Sequence, residues 1–194
     1  MRAAFLIPRI SHLRILGPLI IEAHRRGWEP DCLFYETELD PSSGKNSQHP
    51  AFHDIPEEIS RRSGSVHFRD SRHLAQLLEG YDVVFSHYSW SMGSQFMPAL
   101  DTRPRNTKWA LVQLNMDTFE YTHENILDVD FNLLISDYWN DVFGHYAAEY
   151  GWSPDSIDKF KETSLLVGAP GMDLYGQLDR AEIRRRHGIP EDRP

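Results

Sequence analysis

Three clusters of residues in the chain have side chains suited to chemistry. The first is Arg9, Ser11 and His12 in RISH, directly after the apolar run AAFLIP. A histidine titrates where acid–base work is useful, and the planar fork of an arginine suits a phosphate or a carboxylate. The second is SHYSWSMG, where Ser86, His87, Tyr88, Ser89 and Trp90 combine hydroxyls with rings, a set suited to stacking on a sugar or nucleotide and hydrogen-bonding to it. The third is NMDTFEYTHEN, in which Asp117 or Glu120 could orient a histidine or bind a hydroxyl. Each has a plainer reading too. His12 caps or flanks a helix start, Arg9 is a surface arginine, the rings and hydroxyls line an ordinary loop, and the acids are solvated.

Other stretches point away from chemistry. In GAPGMD, Gly168, Pro170 and Gly171 make a tight turn, because neither a G-x-G-x-x-G order nor a G-K-[ST] ending is present. His49 and His53 have helical ligand spacing, but Pro50 lies between them in a loop-like stretch. With no H-E-x-x-H, no cysteine cluster and no D-x-D in the usual setting of a metal-dependent transferase, no metal site is expected. His24, His145 and His187 fall in helical segments and need no role beyond surface or packing. Trp28, Trp109, Trp139 and Trp152 read as core or domain-interface residues.

The elements that must hold these clusters alternate between strand and helix. AAFLIP is too short for a helix, whereas Leu13, Leu16, Ile20 and Ala23 recur at helical spacing, with Arg14, Glu22, Arg25 and Arg26 on the other side. Gly27 then ends the helix, and Trp28 to Tyr35 completes a βαβ unit. After a polar stretch from Glu36 to Phe52, either a flap or an insertion, Asp54 is expected to cap a short helix with Pro56 in its first turn. Strands are expected at Ser65–Phe68, Tyr81–Phe85, Lys108–Leu114, Phe131–Ile135 and Leu165–Val167. Helices are expected after Asp70, at Ser94–Leu100, after Ser136 or Asp137 with Val142, Phe143, Tyr146, Ala147 and Tyr150 inward, at Asp155–Lys161, and from Asp179 to Gly188. The fold class is therefore α/β: a Rossmann-like, mostly parallel sheet with helices on both faces. In such sheets ligands lie beyond the carboxyl ends of the strands, where RISH and SHYSWSMG both fall.

The totals narrow the function classes. Of 194 residues, 40% are hydrophobic and 25% charged, ordinary values for a chain that buries a core. The formal net charge of −9 argues against a nucleic-acid partner, which would need a surplus of Lys and Arg. No segment reaches the length of a membrane span, and AAFLIP lacks the features of a signal peptide. The sole cysteine, Cys32, fits a reducing compartment and a buried strand position, so a cytoplasmic location is expected.

Three stretches carry a resemblance. RISHLRILGPLIIEAHRRGWEP, LLISDYWNDVFGHYAAEYG with LLVGAPGMDLY, and DRAEIRRRHGIPEDRP together resemble the amino-terminal domain of GT-B fold glycosyltransferases. The branch that also holds the UDP-N-acetylglucosamine 2-epimerases and the CDP-glycerol glycerophosphotransferases is the most similar. The resemblance implies a Rossmann-like acceptor-side domain over residues 1–178, and an interdomain helix with the start of a linker over 179–194. A nucleotide-sugar donor, acting as co-substrate with no resident cofactor, would be held mainly by a further carboxy-terminal domain. This half would bind a small-molecule sugar acceptor and would not complete a turnover alone. His12 would be the base that takes the acceptor's proton, as a group in the loop after the first strand does in inverting members of the fold. Arg9, Ser11, Ser86, His87, Tyr88, Asp117 and Glu120 would contact acceptor or substrate. A non-catalytic nucleotide- or sugar-binding module and a nucleotide-sugar epimerase are the alternatives.

Overall fold

A computed structural model of the chain describes residues 1–7, 10–35, 55–87, 99–113, 127–149, 151–170, 172 and 179–190. Its centre is one sheet of seven strands, all parallel, in the order β3-β2-β1-β4-β5-β6-β7. The strands are β1 (Arg2–Ile7), β2 (Glu29–Tyr35), β3 (Gly64–Phe68), β4 (Val83–His87), β5 (Lys108–Val112), β6 (Phe131–Leu134) and β7 (Ser164–Leu166). The helices are α1 (Leu13–Arg25), α2 (Glu57–Ser60), α3 (Ser71–Leu77), α4 (Tyr138–Glu149), α5 (Pro154–Thr163) and α6 (Arg180–His187).

Strand periodicity divides the core into two layers. Along β1, Ala3, Phe5 and Ile7 face the layer of α1 and α2, where Leu13, Leu16, Ile20 and Ile59 are buried. Ala4 and Leu6 face the opposite layer, with Leu74 of α3, Leu78 and Trp109. All of these β1 side chains are fully buried, which is why the run reads as continuously apolar. The apolar stripe of α1 lies against the sheet as its spacing requires, and Arg14, Arg25 and Arg26 are exposed. Gly27 follows with φ of 77°, in the left-handed region that glycine enters without a Cβ clash.

Some boundaries differ from the sequence expectation for local reasons. β4 runs from Val83 to His87 and not from Tyr81 to Phe85, so Ser86 and His87 belong to the strand, in register with Leu111 and Val112. Polar residues at the carboxyl end of a buried strand look like loop in sequence, although the ladder continues through them. Pro56 has an extended backbone and stands just before α2. Asp54, the expected cap, lies outside the described residues, as does the stretch 36–52. Of the helix expected at Ser94–Leu100, a helical turn at 99–101 is described. The helix expected at Asp155–Lys161 is longer, because the hydroxyl of Ser153 caps it by accepting from the Ser156 N–H at 3.1 Å. In α4, Ala147 is buried as expected, and the side chains of Val142, Phe143 and Tyr146 lie outside the described set, as does Tyr150.

Candidate functional site

The strand order fixes where a ligand would go. The chain builds β1, β2 and β3 in one direction across the sheet, then returns to place β4 on the other side of β1. The order reverses between β1 and β4, and open α/β sheets bind ligands beyond the carboxyl ends of the strands at such a switch point. His12 ends the 3-10 turn Ile10–His12 that follows β1, and His87 is the last residue of β4. Both stand at this switch point.

The two histidines meet there. His12 Nδ1 lies 2.7 Å from His87 Nε2, and the ring centroids are 3.6 Å apart with planes inclined at 67°. Both residues are buried, at 5% and 2% exposure. His12 occupies the position before α1, yet its side chain makes no capping hydrogen bond. Helix capping is thus not what its ring does.

Two ring nitrogens facing each other at this distance share a single hydrogen. One donates and the other accepts. Placing a hydrogen on both would set two N–H groups head to head, so the contact fits a neutral pair or a pair with one added proton, and not two imidazolium ions. The arrangement can take up or hand over one proton.

On the same face of β4 as His87, the core is apolar. Phe5 and Phe85, in register on β1 and β4, stack with centroids 4.9 Å apart and planes within 10°. Ser86, by strand alternation, turns to the opposite layer, where it is buried and its Oγ accepts from Trp109 Nε1 at 2.8 Å. The structure therefore joins His12 to His87 and puts Ser86 on the other side of the sheet. Ser11 is half-buried in the turn before His12. Arg9, Tyr88, Asp117 and Glu120 lie outside the described residues.

Other candidate reactive groups are turned to structure. Cys32 is buried in β2, and burial pushes its thiol up to about 11, so little nucleophilic thiolate forms near neutrality. Among the described residues no group of three or more His, Cys, Asp or Glu side chains is placed to hold a metal ion, and no helix is long and apolar enough to cross a membrane. The D-x-D stretch at Asp128 and Asp130 lies at the amino end of β6. Asp130 there accepts from Lys108 Nζ at 2.9 Å, from the Trp109 N–H at 2.9 Å and from Arg103 Nη2 at 3.0 Å. Burial works against its charge, but these hydrogen bonds and the two cations hold its carboxyl below the ordinary value.

Sequence reasoning picked out His12 and His87 separately and did not join them. No local spacing links residues 75 positions apart. The available signal was topological: a Rossmann-like strand order makes the exits of the first and fourth strands neighbours.

The fold is that of a Rossmann-like α/β domain of the GT-B-like kind. Among solved structures it is similar to a protein from Listeria monocytogenes designated a UDP-N-acetylglucosamine 2-epimerase, with a TM-score of 0.54 and 10% identity, over 87% of this chain and 44% of that one. It is also similar to a glycosyltransferase from Rickettsia africae ESF-5, with a TM-score of 0.50 and 12% identity, over 100% of this chain and 51% of that one. At these identities the likeness is one of fold. The chain spans about half the length of each. No family model and no curated protein matches the chain.

Proposed function

We propose that the chain is the acceptor-side half of a cytoplasmic glycosyltransferase that moves a sugar from a nucleotide-sugar donor to an acceptor hydroxyl. Residues 1–178 form this half, and the segment 179–194, with α6, leads to a further domain that holds most of the donor. The observation that carries the proposal is the buried His12–His87 contact at the switch point of the sheet. It supplies a proton-accepting group where an acceptor hydroxyl would enter, and no resident cofactor or metal is required for that step. His12 is the base. Arg9, Ser11, Tyr88, Asp117 and Glu120 are candidate contacts to acceptor or donor phosphate.

The test uses the full-length protein with a panel of UDP-, GDP-, CDP- and dTDP-sugars and sugar acceptors. Glycosylated product and released nucleotide are followed together. His12→Asn keeps a polar atom near the Nδ1 position but has no titrating ring, and transfer should fall by about 10²–10⁴-fold. Unchanged turnover in this variant would remove His12 as the base. The fold shared with the protein designated an epimerase supports a second reading, interconversion of a nucleotide sugar at one ring carbon. An isomerised nucleotide sugar formed without consumption of acceptor would select that reading.

A further inference from the structure

We infer that His87 is a positioning residue that accepts a hydrogen bond from His12 and thereby decides that His12 is a base rather than a donor. The inference rests on the proposed transferase reading. A neutral imidazole carries one hydrogen. Nδ1 of His12 is the atom that faces His87. For His12 to take a proton on its other nitrogen, its hydrogen must sit on Nδ1 and be donated to His87 Nε2, and His87 must then carry its own hydrogen on Nδ1. In the opposite arrangement His87 donates, His12 carries its hydrogen on Nε2, and the same side chain can only give a hydrogen bond to a substrate oxygen.

The backbone supports this division of labour. His87 is the last residue of a strand flanked by β1 and β5, in register with Val112 and almost fully buried. Its ring has little freedom to reorient. His12 sits on a short turn entering α1, a place where a ring needs a fixed partner to hold its tautomer. In this arrangement the strand residue orients the turn residue.

The step balances as follows. The acceptor O–H bond breaks as an N–H bond forms on His12 Nε2. The oxygen's electron pair forms the new bond to the anomeric carbon, and the bond from that carbon to the nucleotide's phosphate oxygen breaks, its electrons leaving with the nucleotide. His12 becomes an imidazolium whose Nδ1–H donates to His87 Nε2, a hydrogen bond strengthened by the new charge.

Two-bond proton–nitrogen correlation spectra of the ¹⁵N-histidine-labelled protein, recorded at about pH 8, where ordinary histidines are neutral, read the tautomers directly. Both His12 and His87 should carry hydrogen on Nδ1, with Nε2 bare. A His12 with its hydrogen on Nε2 would overturn the inference, whether or not the protein transfers sugar. Absence of transfer with every donor would instead overturn the transferase reading and leave the tautomer assignment standing. In the active protein, His87→Leu should lower kcat by about 10²-fold with KM little changed, and His87→Gln, which can present an acceptor oxygen in the Nε2 position, should recover part of it. Equal kcat in His87→Leu and the parent would also overturn the inference.

Discussion

The two ends of the sheet are built on opposite terms. At the amino ends, charge is met by charge. The Arg2 N–H donates to Asp82 at 2.8 Å, Arg2 Nη2 reaches Asp31 at 3.1 Å, Tyr81 donates to the same carboxylate at 2.8 Å, and the Arg2 guanidinium lies 4.7 Å from the centre of the Tyr81 ring. Asp130 gathers Arg103, Lys108 and the backbone of Trp109 in the same way. At the carboxyl ends of β1 and β4, by contrast, two titratable rings meet and share one hydrogen. Bonds of the first kind fix strands; a contact of the second kind can change its proton count. Under the proposed function, stability and chemistry are sited at opposite ends, and variants can break that division.

The largest effect should be on turnover at the carboxyl end, where His12→Asn loses the titrating ring while remaining folded. Next comes Asp130→Ala, which leaves two cations and a backbone N–H without their shared acceptor and should cost about 2–3 kcal/mol. Urea unfolding should show a lower midpoint with the same slope, and kcat should not move. A matching loss of kcat would mean that the two ends are coupled. The same carboxylate gives a pH prediction. Its pKa is depressed in the folded state, so its contribution is present above the unfolded value of about 3.9 and is lost as pH falls through the folded value. Asp130→Asn should therefore flatten the acid side of the stability profile.

Smaller effects sharpen the contrast. Thr107 is buried, and its hydroxyl lies within hydrogen-bond reach of the Leu78 and Tyr81 carbonyls, at 3.1 and 2.9 Å. Thr107→Val keeps the shape and removes the donor, for a loss of about 1–2 kcal/mol in the same urea assay. Tyr81→Phe removes one of the hydrogen bonds to Asp31 and should cost about 1 kcal/mol or less, because Arg2 remains on that carboxylate. Neither change should alter KM.

Much of the fold was legible because burial leaves a period. The unbroken apolar runs of β1 and β4, the three-and-four spacing of α1 and the caps at Asp70, Asp179 and Gly27 are local facts, and the structure has each of them. The end of β4 was misplaced because Ser86 and His87 are polar yet buried, and composition cannot distinguish a buried polar strand residue from a loop residue. The amino-end networks were not anticipated at all. Arg2, Asp31, Tyr81 and Asp82 come from separate parts of the chain, and ion pairs across a sheet have no sequence period. The two histidines were visible singly, and their meeting needed the strand order.

The register of β4 against β1 carries a consequence for heredity of the site. Ala3 pairs with Val83, Ala4 with Val84 and Phe5 with Phe85. Because side chains alternate between faces, loss or gain of one residue within β4 would turn the residues beyond it to the opposite face. Gain of one residue ahead of Ser86 would present a serine to His12, and loss of one there would press a histidine into the layer of Trp109. Point substitutions can weaken the site by degrees, whereas a single-codon insertion or deletion in β4 would turn over the residues beyond it at once. The stacked Phe5 and Phe85 oppose such a slip.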